Sequence, residues 1–257
     1  MHVGLLAASV IGASILYALA GVLLARRVIR EHVSEGHNDI PVPVFQTAGT
    51  IYAVLLAFSV IAVWQSYGAA KDNVAEEAST LTTPYRQTNA MQDTPQRELR
   101  GLLRAYTHAV ITQEWPIQAE TGGASAQARR ALGELYRAYR TMDPRDASSP
   151  AGVEFLQTLR VVAADRNRRT LEASEALPVV LWIGLLVGGV IVIGMTFALD
   201  TDAAWAHVLF SILLAALVGT LLFITIVLHR PFAGPLALSP ESFSHSLAVF
   251  DSTDRGN

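Results

Sequence analysis

Three closely spaced arginines, Arg166, Arg168 and Arg169, are the most suggestive chemical grouping in the sequence. Guanidinium groups are permanently charged forks that suit carboxylates, phosphates and small anions. In this spacing they fit a vestibule for anions or a contact with anionic headgroups. The plainer alternative is a solvated helix face, with Asp165 and Arg169 as an i,i+4 pair contributing a few tenths of a kcal/mol. His32 and His37 share a short stretch with Glu31, Glu35 and Asp39, a donor set able to hold a metal weakly, although a flexible polar loop is the plainer reading. The remaining histidines, His2, His108, His207, His229 and His245, are scattered. With no cysteine, disulfides, thiolate zinc sites, iron–sulfur clusters and cysteine nucleophiles are excluded. No Gly-rich phosphate loop, His-Glu-x-x-His or Gly-x-Ser-x-Gly pattern occurs, so no catalytic, metal or cofactor site is expected. A net charge of −3 offers no basic field for nucleic acid.

The elements that must position these groups are dominated by lipid. Four stretches, Val3–Ala25, Val44–Trp64, Pro178–Leu199 and Ala203–Leu228, carry no Asp, Glu, Lys or Arg. A helix of roughly 20 apolar residues spans a hydrocarbon core of about 30 Å, and each stretch meets that length. The first is expected to be a retained helix and not a cleaved leader: no basic residue precedes it, and Arg26-Arg27 follow directly. The expected organisation is all-α and integral to the membrane. Residues 1–64 hold transmembrane helices 1 and 2, residues 65–177 a cytoplasmic helical insert, residues 178–230 helices 3 and 4, and residues 231–257 a cytoplasmic tail. The lipid bilayer is the first partner. No ionisable residue lies inside the apolar stretches, which argues against a proton-coupled transporter.

Lys71, Arg160, Arg166, Arg168, Arg169 and Arg230 flank the membrane on the side holding the insert and both termini. The opposite loops carry Arg26, Arg27 and Arg30, balanced by Glu31, Glu35 and Asp39, and then Asp200-Thr201-Asp202 without any base. This bias places the insert and both termini in the cytoplasm. Trp64, Trp182 and Trp205 sit near helix ends, where an indole buries its ring and keeps its N–H wet.

Within the insert the period is helical. Ala69, Ala70, Val74, Ala78 and Leu81 form a thin stripe, and no breaker separates Trp64 from Thr83, so the second membrane helix is expected to continue well beyond the bilayer. Asp93-Thr94-Pro95 reads as a capped helix start; Leu99, Leu102, Leu103, Tyr106 and Val110 follow, and Trp115-Pro116 reads as the stop. Gly122–Ser125 is a loop. A second helix presents Leu132, Leu135, Tyr136, Tyr139 and Met142, closed by Asp143-Pro144. Ser148-Ser149-Pro150 opens a third with Leu156, Leu159, Val162 and Ala163, running nearly unbroken to Leu177. Such apolar faces can close into one bundle or form the wall of an oligomer. In the third membrane stretch Gly184, Gly188 and Gly189 have a small-xxx-small spacing that lets helices approach.

The run from Gly49 through Phe58 to Trp64-Gln65-Ser66-Tyr67 resembles the second transmembrane helix of bestrophins, where a phenylalanine is followed nine positions later by an aromatic residue, as Phe58 is by Tyr67. The tail Arg230-Pro231-Phe232-Ala233-Gly234 looks like the segment after the last bestrophin membrane helix. Together with Gln113-Glu114-Trp115-Pro116, these stretches resemble a bacterial bestrophin-like family. The resemblance implies a homo-oligomer, pentameric in bestrophins, that passes anions through an apolar neck on the second helix. Carried across by register, Phe58 is the innermost neck position, Val54 lies one turn outward and Thr50 two turns outward, all on one helical face. Five apolar stripes form a constriction that gates by dewetting without a charged ring. Thr50 departs from an apolar neck. Glu241 is the single acid in residues 231–243, so the calcium clasp of animal bestrophins is expected to be missing. The competing expectation is a non-conducting membrane protein whose cytoplasmic helices form an interaction or assembly platform.

Overall fold

A computed structural model describes residues 3–29, 40–174, 177–199 and 203–256, and among them every regular element is helical. His2, His32, His37 with their acidic neighbours, and Asp200–Asp202 lie outside the described residues. The chain divides into two compact units, Met1–Gln65 with Ala176–His229, and Ser66–Glu175 with Arg230–Asn257.

In the first unit, α1 (Val3–Ile29), the opening half of α2 (Pro41–Gln87), α8 (Val179–Met195) and α9 (Ala204–Leu228) give, among the described residues, four helical spans long and apolar enough to cross a bilayer. Lipid is as apolar as leucine, so association between such helices rests on close packing and hydrogen bonds. Glycine makes the room. A Cβ on Gly219 of α9 would sit 3.1 Å from the Ile11 Cα of α1, and a Cβ on Gly188 of α8 would sit 2.5 Å from the Tyr52 ring of α2. The Tyr52 hydroxyl then donates to the Leu185 carbonyl at 3.1 Å. The glycine spacing thus receives an aromatic ring from α2. His207 and the Thr196 carbonyl pair at 2.8 Å, and the Leu177 N–H donates to His229 Nδ1 at 3.2 Å.

The second unit is a helical bundle around one core. The stripe on the rest of α2 buries Ala70, Val74, Ala78 and Leu81, while Ala69 stays exposed. From α3 (Asp93–Ala109) come Leu99, Leu103 and Tyr106; from α5 (Ala126–Thr141) come Leu132 and Leu135. α6 (Pro144–Ala147) is a single turn, and α7 (Pro150–Ser174) adds Phe155, Leu159 and Val162. α10 (Glu241–Arg255) closes the core with Phe243 and Phe250, the latter stacked on Tyr85 at 4.0 Å. The apolar faces of α3 and α5 are therefore covered within this one chain.

Three local expectations are corrected, and the expected continuation of α2 is met. Trp115-Pro116 does not stop α3: the Trp115 N–H reaches the Val110 carbonyl five residues back, a π turn over Val110–Glu114, and α4 (Trp115–Thr121) carries on. The wide turn lets the helical ladder slip just where the proline, in the first turn of α4, has no N–H to give. Gly122, at φ +69, ends it with a left-handed cap. α3 itself starts at Asp93 without a side-chain cap, whereas Ser125 does cap α5 by accepting from Gln127 and Ala128. α2 runs past Thr83 and through Pro84 to Gln87. α7 ends at Ser174, and non-helical Leu177-Pro178 precede α8, since the residue before a proline is pushed out of helical backbone.

Candidate functional site

Two places concentrate function-bearing geometry, one in each unit. In the first unit, Tyr52, Leu56, Ser59 and Val63 turn one face of α2 into its own helix packing. The other face carries Thr50, Val54 and Phe58, one above another at four-residue intervals, and they meet no cover: Val54 is 51% exposed and Phe58 68%. Thr50 is exposed too, but its hydroxyl donates back to the Gln46 carbonyl at 2.8 Å. With its polar hydrogen tied to its own backbone, Thr50 offers the face a side chain whose polarity is largely satisfied. Beside this stripe, Gly49, Thr50, Ala53 and Ala57 border an apolar groove of about 620 Å³ whose far wall is Leu214, Leu217 and Leu221.

The three arginines go elsewhere, and not to one place. Arg169 is fully buried in the second unit. Its Nε donates to Glu77 Oε2 at 2.6 Å, Nη2 to Glu114 Oε2 at 2.9 Å, and Nη1 to Gln118 Oε1 at 2.8 Å. Its guanidinium also lies 5.5 Å from both the Trp115 and Phe243 ring centres, a cation–π arrangement. Arg166, also buried, forks onto Glu114 and reaches the Ser125 carbonyl at 3.5 Å. The Ser125 N–H donates to Glu114 Oε1 at 3.0 Å, and the Tyr106 hydroxyl donates to Glu77 Oε1 at 2.8 Å. Arg168 alone stays at the surface, 3.1 Å from Asn73 Oδ1 and 3.4 Å from Glu76 Oε2. The i,i+4 contact of Asp165 with Arg169 does not form, because Arg169 faces Glu77 and Glu114 instead.

Burial works against the Arg169 charge, but the Glu77 and Glu114 carboxylates outweigh it and hold the guanidinium protonated beyond its usual range. Burial, then the Glu77 charge, pushes the Tyr106 phenol well above its ordinary value, so Tyr106 stays a neutral donor. Two acids and two bases here compensate one another inside a buried core. That arrangement fixes helix register; it offers no unpaired charge to an ion. Glu77 and Glu114 were not among the sequence candidates, although Glu77 shares the helical phase of Val74, Ala78 and Leu81, and Glu114 lies in the Gln113–Pro116 motif.

The tail turn locks onto the same core. Phe232 is buried against Trp115 at 5.5 Å, and the Trp115 indole N–H donates to the Leu238 carbonyl at 2.9 Å. Tyr67, nine residues after Phe58, donates its hydroxyl to the Leu236 carbonyl at 2.9 Å.

The fold recurs in solved structures. Two crystal structures of single-residue variants of a bacterial bestrophin homologue from Klebsiella pneumoniae match with TM-scores of 0.76 and 0.75, at 12% and 14% identity. Each match covers 96% of this chain, and 98% and 97% of the respective homologue chain. A crystal structure described as a membrane protein matches with a TM-score of 0.74 at 15% identity, covering 95% of this chain and 98% of the other. No curated protein matches the sequence. A family model described as a bestrophin-like domain matches residues 12–243, which takes in the α2 stripe, the Gln113–Pro116 motif and the tail turn. The chain belongs to the bestrophin-like family.

Proposed function

We propose that the protein is an oligomeric ion channel in which copies of α2 surround a central path, with Thr50, Val54 and Phe58 as its apolar neck. The observation that carries this reading is the single-sided exposure of α2: its inner face is packed, while large apolar side chains on the other face are left uncovered. Around an axis such a face makes a narrow hydrophobic constriction, whose wetting gates ion flow. The bestrophin resemblance implies five copies and an anion as the permeant ion. It also puts the second unit and both termini in the cytoplasm of a bacterial cell. Of the three arginines expected at an anion vestibule, Arg168 keeps an exposed guanidinium for this role, and Arg166 and Arg169 serve the bundle.

The test is electrical. Purified protein in planar bilayers is expected to give currents whose reversal potential under a chloride gradient reports anion selectivity. A cysteine at exposed Ala124, labelled with an impermeant thiol reagent, is expected to react only from the cytoplasmic side.

A second reading, a non-conducting membrane protein with a helical platform, draws support from the way α3 and α5 bury their apolar faces within one chain. Mass in detergent separates the two. A fivefold species supports the channel, and a monomer or dimer the platform.

A further inference from the structure

Asp165 on α7 is a buried carboxylate of the second unit that makes no ion pair among the described residues. It is 3% exposed. The Thr80 hydroxyl of α2 donates to its carboxylate, while the other oxygen, Oδ2, meets no donor among the described residues. Three arginines lie within four residues of it on α7, and each is engaged elsewhere. Arg166 holds Glu114, Arg169 holds Glu77 and Glu114, and Arg168 reaches Asn73 and Glu76. The charged groups acting on Asp165 are Glu76 and Glu77 from α2 and Arg168 from its own helix. Two negative neighbours against one half-exposed positive one is a poor setting for a buried anion. An ionised carboxylate removed from water without a partner costs several kcal/mol, and the ordinary escape is to take up a proton.

We infer that Asp165 is protonated when α2 and α7 are packed together, so that this helix seam is a proton-operated clasp. The step is a simple exchange with solvent: the carboxylate takes one proton to become a neutral carboxylic acid, and releases it to water when the seam opens. Burial first, and the Glu76 charge second, push this carboxyl above its ordinary range. A carboxyl raised in the folded state is fully stabilising below its unfolded value of about 3.9, and the contribution is lost as pH rises through the folded value. Acidification therefore tightens the seam and alkalinisation loosens it. That sense is opposite to a carboxylate held by a cation.

The experiment uses the full chain in detergent and follows amide hydrogen exchange in peptides covering residues 76–82 and 162–170 between about pH 5 and about pH 9, after correction for intrinsic exchange. In the wild type the opening equilibrium should rise with pH by up to about tenfold per pH unit until the folded value is passed, and then level off. Asp165→Asn, the neutral isostere, should abolish that rise and match or exceed wild-type protection at alkaline pH. Glu76→Gln should move the rise to lower pH, because it removes the charge that favours protonation. Infrared spectra titrated over the same range should show, at its acid end, a protonated carboxylic acid carbonyl band in the wild type that Asp165→Asn lacks. Two results would overturn the inference: no such band in the wild type, or a pH rise that survives Asp165→Asn unchanged. A variant too unstable to purify would leave the wild-type band and the Glu76→Gln shift to decide, and the absence of both would count against the clasp.

Discussion

The two units of this chain solve the same problem, holding helices together in register, with opposite chemistry. Among the described residues of the membrane unit no ion pair joins one helix to another. Hydroxyls of Ser14, Thr50, Ser59 and Thr225 return to carbonyls of their own helix, and contact comes from rings settling on glycine. In the polar unit the core is crossed by ion pairs between Glu77, Glu114, Arg166 and Arg169, with aromatic rings around them. The difference follows from the solvent each unit meets. Lipid gives apolar helices no reason to associate in one register, so shape must choose it. Water gives helices ample reason to collapse, and buried charge then restricts how they do so.

The comparison predicts a graded set of effects. Arg169→Met strands Glu77 in the core, leaves Glu114 to Arg166 alone, and should cost about 3–5 kcal/mol, seen as a large drop in the thermal midpoint of detergent-solubilised protein. Arg168→Ala, on the same helix but half-exposed, should cost less than about 1 kcal/mol. In the membrane unit Gly188→Ala places a methyl 2.5 Å from the Tyr52 ring, and the forced shift should cost about 1–3 kcal/mol by the same assay. Tyr52→Phe, which keeps the ring and loses the hydrogen bond to Leu185, should cost about 0.6 kcal/mol. A milder effect sits at the end of α10. Burial pushes the Asp254 carboxyl up, but hydrogen bonds from Tyr85 and Arg104 outweigh it, so its value falls below the ordinary range. Stability from a lowered carboxyl is present above about pH 3.9 and is lost as pH falls through the folded value. Proteolysis near residue 255 should accordingly speed up modestly in acid, and Asp254→Asn should remove that dependence. Equal costs for Arg169→Met and Arg168→Ala would remove the role given to buried charge in the polar unit.

Much of this was legible in the residues, and the gaps have physical causes. The membrane helices announce themselves by the lack of any charge over a bilayer's thickness, and α3 and α5 by apolar side chains every three or four positions. The buried ion network was hidden because its members look like surface charges. Glu77 stands in phase with Val74 and Leu81, and Arg166 and Arg169 stand in phase with Leu159 and Val162, so a strict reading of phase would have placed them inside. α10 escaped notice for a related reason: Phe243, Leu247 and Phe250 are correctly spaced, but serines and a histidine between them dilute the stripe. The π turn at Val110–Glu114 has no compositional mark, and Trp115-Pro116 reads as a stop unless a wider turn is allowed. Thr50 seemed too polar for an apolar face until its hydroxyl was found turned onto the Gln46 carbonyl. The arginine cluster suggested an anion site from charge density alone. What density does not disclose is whether acids from other helices arrive first, as Glu77 and Glu114 do.

The claim that the uncovered face of α2 lines an ion path is tested most directly by bilayer recording of wild type and Phe58→Ala, matched for thermal midpoint. Phe58 is 68% exposed, so its truncation should change the midpoint by less than the equivalent of about 0.5 kcal/mol while widening the neck. The account predicts anion-selective currents from the wild type and larger, less tightly gated currents from the variant. Well-folded protein silent across salts and voltages, or currents that Phe58→Ala leaves untouched, would contradict it.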